Sequence, residues 1–251
     1  MSNAVARHLA ELPLTPPEIT ILLRYKQFFE NRRVLDLGVG SGRITRYLLS
    51  FCADYLGIDL SPQMLAYARE LYPEARLSLG DFRDLAQLSE DPFDFIFIAF
   101  NTIDVLRHED RLKLLADVRR LMSPDGVFVF STHNRSWRHC GKRPVFPAYS
   151  EVGNLPRYLN RLLRTGREIF NHNRLAHLQQ FADDHAIVTG SHMRTGLVYC
   201  IDRKAQLEQL KKADFEVLSV YDIDGREVGE TDMSPESYNL HFVCRLPAEE
   251  S

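Results

Sequence analysis

Between Val34 and Arg43 a short apolar run breaks into three glycines at alternate positions, Gly38, Gly40 and Gly42, and a helical pattern begins directly after. Glycines there leave main-chain amides uncovered at a helix start, where the aligned peptide dipoles favour an anionic group. A surface turn uses glycine in the same way. Asp59 follows Gly57-Ile58 at the end of the next apolar run, 17 residues after Gly42. A carboxylate at that place can accept both hydroxyls of a ribose; the plainer reading is a neighbour of a helix cap at Ser61. The dinucleotide fingerprint G-x-G-x-x-G is not met, because Arg43 stands where its last glycine belongs, and this argues against a nicotinamide cofactor.

Groups able to move a proton gather later in the chain. His133 follows an apolar run, His185 and His192 fall in the stretch that begins at Asp184, and Tyr199 precedes a helical pattern. Histidine changes charge near neutrality and suits proton removal. The chain has nine histidines, so each of these also fits an ordinary hydrogen-bonded structural residue. Cys52, Cys140, Cys200 and Cys244 are separated by 44 to 88 residues. No paired zinc-ligand spacing exists among them, and reduced thiols are expected.

The elements that must position these groups alternate between strand and helix. Strands are expected at 33–37, 55–58, 76–79, 93–98 and 127–130, with helices between them. A late helix at 204–213 and strands at 215–221 and 241–244 close the chain. Such alternation signals βαβ units and a buried parallel sheet. A helix over 16–31 is expected to face inward with Ile19, Leu22, Leu23 and Phe28, and one after Ser61 with Leu65, Ala68 and Leu71. Residues 134–200 interrupt the alternation, show no clean period and are rich in Arg, His, Asn and Tyr. In open α/β sheets ligands bind beyond the carboxyl ends of the strands, so an insertion there is read as facing a substrate.

Thirty-one Lys and Arg stand against 34 Asp and Glu, a net charge of -3. That balance offers nothing to neutralise a phosphate backbone, so a general nucleic-acid binder is not expected. No secretory leader is visible at the start, and the most apolar run, 93–100, is too short to cross a bilayer; a cytoplasmic chain without membrane attachment is the expectation.

The runs VLDLGVGSGR, GIDLSPQML, GDFRDL, FDFIFIAFNTIDVL and RRLMSPDGVFVFSTHN, in that order over about residues 30–134, resemble the class I S-adenosylmethionine-dependent methyltransferases, and among them the bacterial small-molecule enzymes. The resemblance implies a Rossmann-like, doubly wound α/β fold: a seven-stranded sheet, mostly parallel, with an antiparallel last strand and an insertion after strand five. It implies S-adenosyl-L-methionine as cofactor, approached by the backbone of Gly38, Val39, Gly40 and Gly42, with Asp36 near its ammonium group. Asp59 would hold the ribose, Leu60 and Met64 the adenine, and Asp81 and Phe82 the adenine edge and face. Phe100, Asn101 and Asp104 would lie near the sulfonium and the substrate entrance; a cap on the following turn is the plain reading of Asp104.

Three segments are expected: an N-terminal helical cover (1–32), a cofactor-binding domain (33–133 with 201–251) and an inserted substrate-facing cap (134–200). The expected activity is in-line methyl transfer to a small-molecule acceptor without a metal, with His133, His192 and Tyr199 as candidate catalytic residues. The arginines of 134–200 fit an acidic or phosphorylated acceptor, or equally a solvated helix face. Methyl transfer to RNA or protein, and a cofactor-binding module without turnover, are the alternatives. The acceptor's identity and the assembly, a homodimer included, are left open.

Overall fold

In the computed structural model, residues 3–88, 91–148, 154–190 and 192–248 are described, without the side chains of Asn3, Ala4, Ala86, Gln87 and His192. Five parallel strands lie in the order β3 (Arg76–Leu79), β2 (Asp54–Asp59), β1 (Arg33–Leu37), β4 (Phe93–Ile98) and β5 (Met122–Asn134). The last strand, β10 (Asn239–Arg245), runs antiparallel to β5, and β9 (Glu216–Tyr221) pairs with its far edge. These seven strands are the expected sheet.

The period of two along a strand explains why its apolar runs are continuous. Leu35, Leu37, Ile96, Ile98, Phe128 and Phe130 turn to one face, where α5 (His108–Leu121) brings Leu114, Leu115, Val118 and Leu121 against them. Their neighbours Val34, Phe95, Phe97, Val127 and Val129 turn to the other face and meet Ile21, Leu22 and Tyr25 from α2 (Pro16–Arg24) and its end, with Leu48 from α3 (Thr45–Leu49). Both sides of the sheet are therefore covered, as a parallel sheet requires.

The helix expected over 16–31 is shorter and rotated. It stops at Arg24, Ile19 and Leu23 are exposed, and Ile21 and Leu22 are buried. The inward face includes Glu18, a charged residue whose burial only a distant partner makes acceptable. Leu71, expected to face in from α4 (Pro62–Leu71), is exposed as well. A separate helix, α1 (Asn3–Glu11), precedes α2 within the segment expected to be helical.

The largest departure lies within 134–200. A 21-residue helix, α6 (Leu155–Leu175), is followed by β6 (Gln180–Phe181), β7 (His185–Gly190) and β8 (Gly196–Ile201), which pair antiparallel in sequence. Only Thr165 and His172 of α6 are buried, while Leu155, Leu159, Leu163 and Phe170, at helical spacing along one side, are exposed. β5 runs 13 residues because Ser123–Gly126 bulge out of its pairing with β4 and its far end passes beyond β4. There His133 pairs with Asn239 on one side and with Cys200 on the other, so β8 occupies the place that β4 has vacated. The extension thus continues the sheet at its carboxyl edge. The late helix, α7 (Arg203–Lys212), follows β8 directly.

No helix among the described residues is long and apolar enough to cross a membrane.

His241, inside β10, is buried and its Nδ1 has no hydrogen-bond partner among the described residues. Burial pushes its pKa from 6.5 down to about 4. The unfolded chain takes up this proton first as pH falls, so stability should be whole above pH 6.5 and decline toward pH 4, by an amount on the order of 3 kcal/mol. Urea unfolding of His241→Leu across that range should show a correspondingly shallower pH dependence than the wild type.

Candidate active site

At the end of β1 the chain turns back on β2: the amides of Gly38 and Val39 both donate to the Ile58 carbonyl, at 2.8 and 3.2 Å. The glycines that follow have different reasons to be glycine. Gly42 has φ +86°, and a Cβ there would stand 2.7 Å from the Tyr72 ring. Gly40, at φ +57°, has nothing within 4 Å of an added Cβ, so its bare backbone borders open space. The Gly40 amide donates to Asp59 Oδ2 at 2.7 Å, while Oδ1 accepts the Ser61 amide at 2.8 Å. Asp59 therefore steadies the start of α4, where Ser61 is the N-cap, and is fixed against the glycine loop.

Beside this loop is a cavity of about 300 Å³ whose lining includes Asp36, Gly38, Val39, Gly40, Asp59, Met64 and Phe100. Leu9 and Leu12 of the N-terminal segment and Thr102 complete the wall, none of them read from the sequence. Asp36 is almost wholly buried, and Tyr55 donates to it at 2.7 Å. Burial pushes its pKa up to about 7, against the pull of the Tyr55 hydroxyl.

Arg43, another lining residue the sequence did not single out as a binder, forms a buried ion pair with Glu18 of α2; Nη1 is 2.9 Å from Oε2. Thr15 adds its amide and hydroxyl to the same carboxylate, at 2.7 and 2.8 Å. Burial opposes the charge on Glu18, but Arg43 and Thr15 prevail and hold its pKa below the usual value. The guanidinium also lies 4.6 Å from the centre of the exposed Phe100 ring. Arg43 thus ties the N-terminal helices, the glycine loop and the tip of β4 together. Partners 25 residues apart leave no local pattern in a sequence.

That tip is strained. Phe100 and Asn101 have φ of +58° and +56°, an arrangement costing about 1–3 kcal/mol for each non-glycine residue. It leaves Asn101 with its amide bonded to Ser131 Oγ at 2.8 Å and its side-chain nitrogen 3.5 Å from His133 Nε2. Behind His133, Asp104 is fully buried. Its Oδ1 accepts Arg111 Nη1 at 2.8 Å and Thr132 Oγ1 at 2.6 Å. Oδ2 accepts the His133 amide at 2.6 Å and lies 2.7 Å from Nδ1. An ionised carboxylate beside Nδ1 assigns the ring hydrogen to that nitrogen and leaves Nε2 as the free acceptor. Asp104, expected at the substrate entrance or as a turn cap, instead sits behind the histidine and orients it.

Other sequence candidates fall elsewhere. Leu60 is exposed outside the cavity wall. Asp81 caps a short turn and is gripped by Arg83 Nε at 3.0 and 2.8 Å, while Phe82 packs into the core beside Leu85. Tyr199 is buried in a stack between Arg111 and His185, its hydroxyl 2.9 Å from His108 Nδ1; burial pushes its pKa up to about 12, which makes it a poor base. The His192 side chain lies outside the described residues. His108, Asp184 and His185 come close enough to suggest a metal. The two rings, however, stack within 11° of parallel at 4.3 Å, and nitrogen lone pairs lying in parallel planes do not converge on one ion.

A methyltransferase-domain family model matches residues 34–126. The ubiquinone biosynthesis O-methyltransferase of Methylococcus capsulatus is 35% identical over 106 residues, covering 42% of this chain and 45% of that protein. The chain therefore matches less than half the length of such relatives. Across nearly the whole chain the fold is similar to an S-adenosylmethionine-dependent methyltransferase of Clostridium acetobutylicum, with TM-score 0.60, 14% identity and coverage of 96% and 95%. It is also similar to the glycopeptide N-methyltransferase MtfA complexed with S-adenosylmethionine, with TM-score 0.55, 17% identity and coverage of 93% and 95%. Residues 34–126 thus match a methyltransferase-domain family, and the sheet around them has the fold of S-adenosylmethionine-dependent methyltransferases.

The cavity beside the glycine loop fits S-adenosylmethionine. Gly40 leaves backbone uncovered, Asp59 offers a carboxylate beside it, Asp36 offers a second one for a cationic group, and Met64 and Phe100 supply apolar surface.

A bound ammonium needs Asp36 ionised, whereas burial keeps it half protonated near pH 7. Affinity for S-adenosylhomocysteine, measured by titration calorimetry, should accordingly rise by up to about tenfold per pH unit from 5.5 toward 7 and level off above. Asp36→Asn should bind more weakly at pH 8 and lack the rise.

Proposed function

We propose that the chain transfers a methyl group from S-adenosylmethionine to a small-molecule acceptor, with His133 removing the acceptor's proton. The observation that carries this reading is the orientation of His133. Its Nδ1 faces a buried carboxylate and its Nε2 points toward Asn101, whose neighbour Phe100 borders the cofactor cavity. When bound, S-adenosylmethionine supplies a methyl group activated by a positive sulfur.

The rest is the work of this chain's residues. Asp59 and the Gly40 backbone hold the nucleoside side, and Asp36 the amino-acid side. Leu9, Leu12 and Phe100 keep water from the cleft. Holding an acceptor in line with the sulfur–methyl axis contributes on the order of 7–11 kcal/mol in well-oriented systems. A hydroxyl acceptor must also lose its proton, and a positioned base adds roughly 100- to 10,000-fold. Asp104 stabilises the imidazolium that results, and Arg111 holds Asp104 in place at 2.8 Å. Two facts support a small acceptor: O-methyltransferases of small molecules occur among the relatives, and the chain has no cationic excess for RNA.

S-adenosylhomocysteine should bind the wild type in the micromolar range and bind Asp59→Ala at least 30-fold more weakly, since a ligand losing a bidentate charged partner loses about 2 kcal/mol or more. With a radiolabelled methyl donor and cell extract, label should enter the low-mass fraction. His133→Ala should slow that transfer by roughly 100-fold or more while binding S-adenosylhomocysteine as before. Label confined to the RNA or protein fraction would overturn the small-molecule assignment.

A further inference from the structure

Between the 137–147 segment and the N-terminal half of α6 lies a second cavity, of about 1040 Å³, which shares no lining residue with the cofactor cavity. Its wall carries six cations, Arg138, Lys142, Arg143, Arg161, Arg164 and Arg194, against the single carboxylate of Glu168. Arg164 is paired with Glu168 at 2.9 Å, Arg138 with Glu236, and Arg194 donates to the Thr189 carbonyl at 3.0 Å. Lys142, Arg143 and Arg161 have no acidic partner among the described residues.

Arg194 reaches the cavity from a turn in which Met193 and Arg194 itself both have positive φ, +57° and +55°. Burial lowers its pKa. A strained turn that carries a desolvated guanidinium without a carboxylate of its own is a costly arrangement, and such arrangements persist where a ligand repays them. Trp137, Val145 and Phe146 add apolar surface, the last two largely exposed, with His139 and Thr165 also on the wall.

The cavity also adjoins the expected site of chemistry. Trp137 lies four residues beyond His133, so their Cα atoms are at most about 14 Å apart. Trp137 packs against Tyr238, whose neighbour Asn239 donates to Asn101 at 3.4 Å. Unpaired cations beside exposed apolar side chains complement one kind of small molecule, an apolar body with an anionic end.

Resting on the methyltransferase reading above, we infer that the acceptor is an amphipathic anion whose phosphate or carboxylate end is held in this cavity by Lys142, Arg143 and Arg161, with its apolar part against Trp137 and Phe146.

Trp137 is the only tryptophan of the chain, so its emission reports occupancy directly. The full chain is titrated at low salt with octyl phosphate, octanoate, octanol and inorganic phosphate, below micelle-forming concentrations. Octyl phosphate or octanoate should bind saturably and at least tenfold more tightly than octanol and inorganic phosphate; whichever of the two binds better identifies the anionic group. The variant Lys142→Ala/Arg143→Ala/Arg161→Ala, altered only at exposed positions, should lose at least tenfold for that anion and keep its affinity for S-adenosylhomocysteine. Equal binding of octanol and both anions, an unaffected triple variant, or displacement of S-adenosylhomocysteine by octyl phosphate would each overturn the inference. If S-adenosylhomocysteine itself fails to bind the wild type, the methyltransferase reading falls, and the acceptor role falls with it, whatever the octyl phosphate titration shows.

Discussion

Asp104 is a carboxylate with no access to water, and its ionised state is the constraint from which the catalytic side of the molecule follows. Burying such a charge is tolerable only when every lone pair is met. Here Arg111, Thr132 and both nitrogens at His133 meet them, and Arg111 in turn is held by Gln206 and Gln209 of α7, at 2.6 and 3.1 Å. One network thus fixes the end of β5, the turn after β4, the start of α5 and the last helix. Removing one partner from such a network costs about 3–5 kcal/mol, because the other charge is left buried and alone. The geometry of His133 is consequently a property of the core rather than of a surface loop.

The cofactor side follows a different logic. Its parts are marginal by design of the surroundings: Asp36 sits where its charge is disfavoured, Gly40 leaves main chain bare, and Phe100 and Asn101 adopt backbone angles that cost energy. Arg43 and Glu18 offset this by clamping the N-terminal helices to the glycine loop. A site assembled from groups that a bound ligand would relieve is stabilised by that ligand, through the ordinary linkage between binding and folding.

What the amino-acid order disclosed, and what it concealed, divides along the range of the interaction. The strands β1, β2, β4 and β5 announce themselves through apolar runs and glycine punctuation, and the glycine loop with Asp59 is visible because both belong to consecutive βα units. The clamp between Glu18 and Arg43 and the tie from Asp104 to His133 join residues 25 and 29 positions apart, and no local period records them. The helix 16–31 was placed with the wrong face inward for that reason, since its true inner face includes a charged residue. At Asp81, Phe82 and Leu60 the protein's own contacts are with Arg83, the core and solvent. Within 134–200, α6 does carry Leu155, Leu159, Leu163 and Phe170 at helical spacing, but that stripe is exposed rather than turned to the core.

The extra length of β5 has a mechanical corollary. The β6–β8 extension pairs with β5 at two residues, His133 with Cys200 and Asn134 with Ile201, and Tyr199 of β8 further braces it against Arg111 and His108. One of the two is the histidine itself. β8 therefore touches both His133 and the Arg111 that holds Asp104, so the appended hairpin and the imidazole rest on one common support.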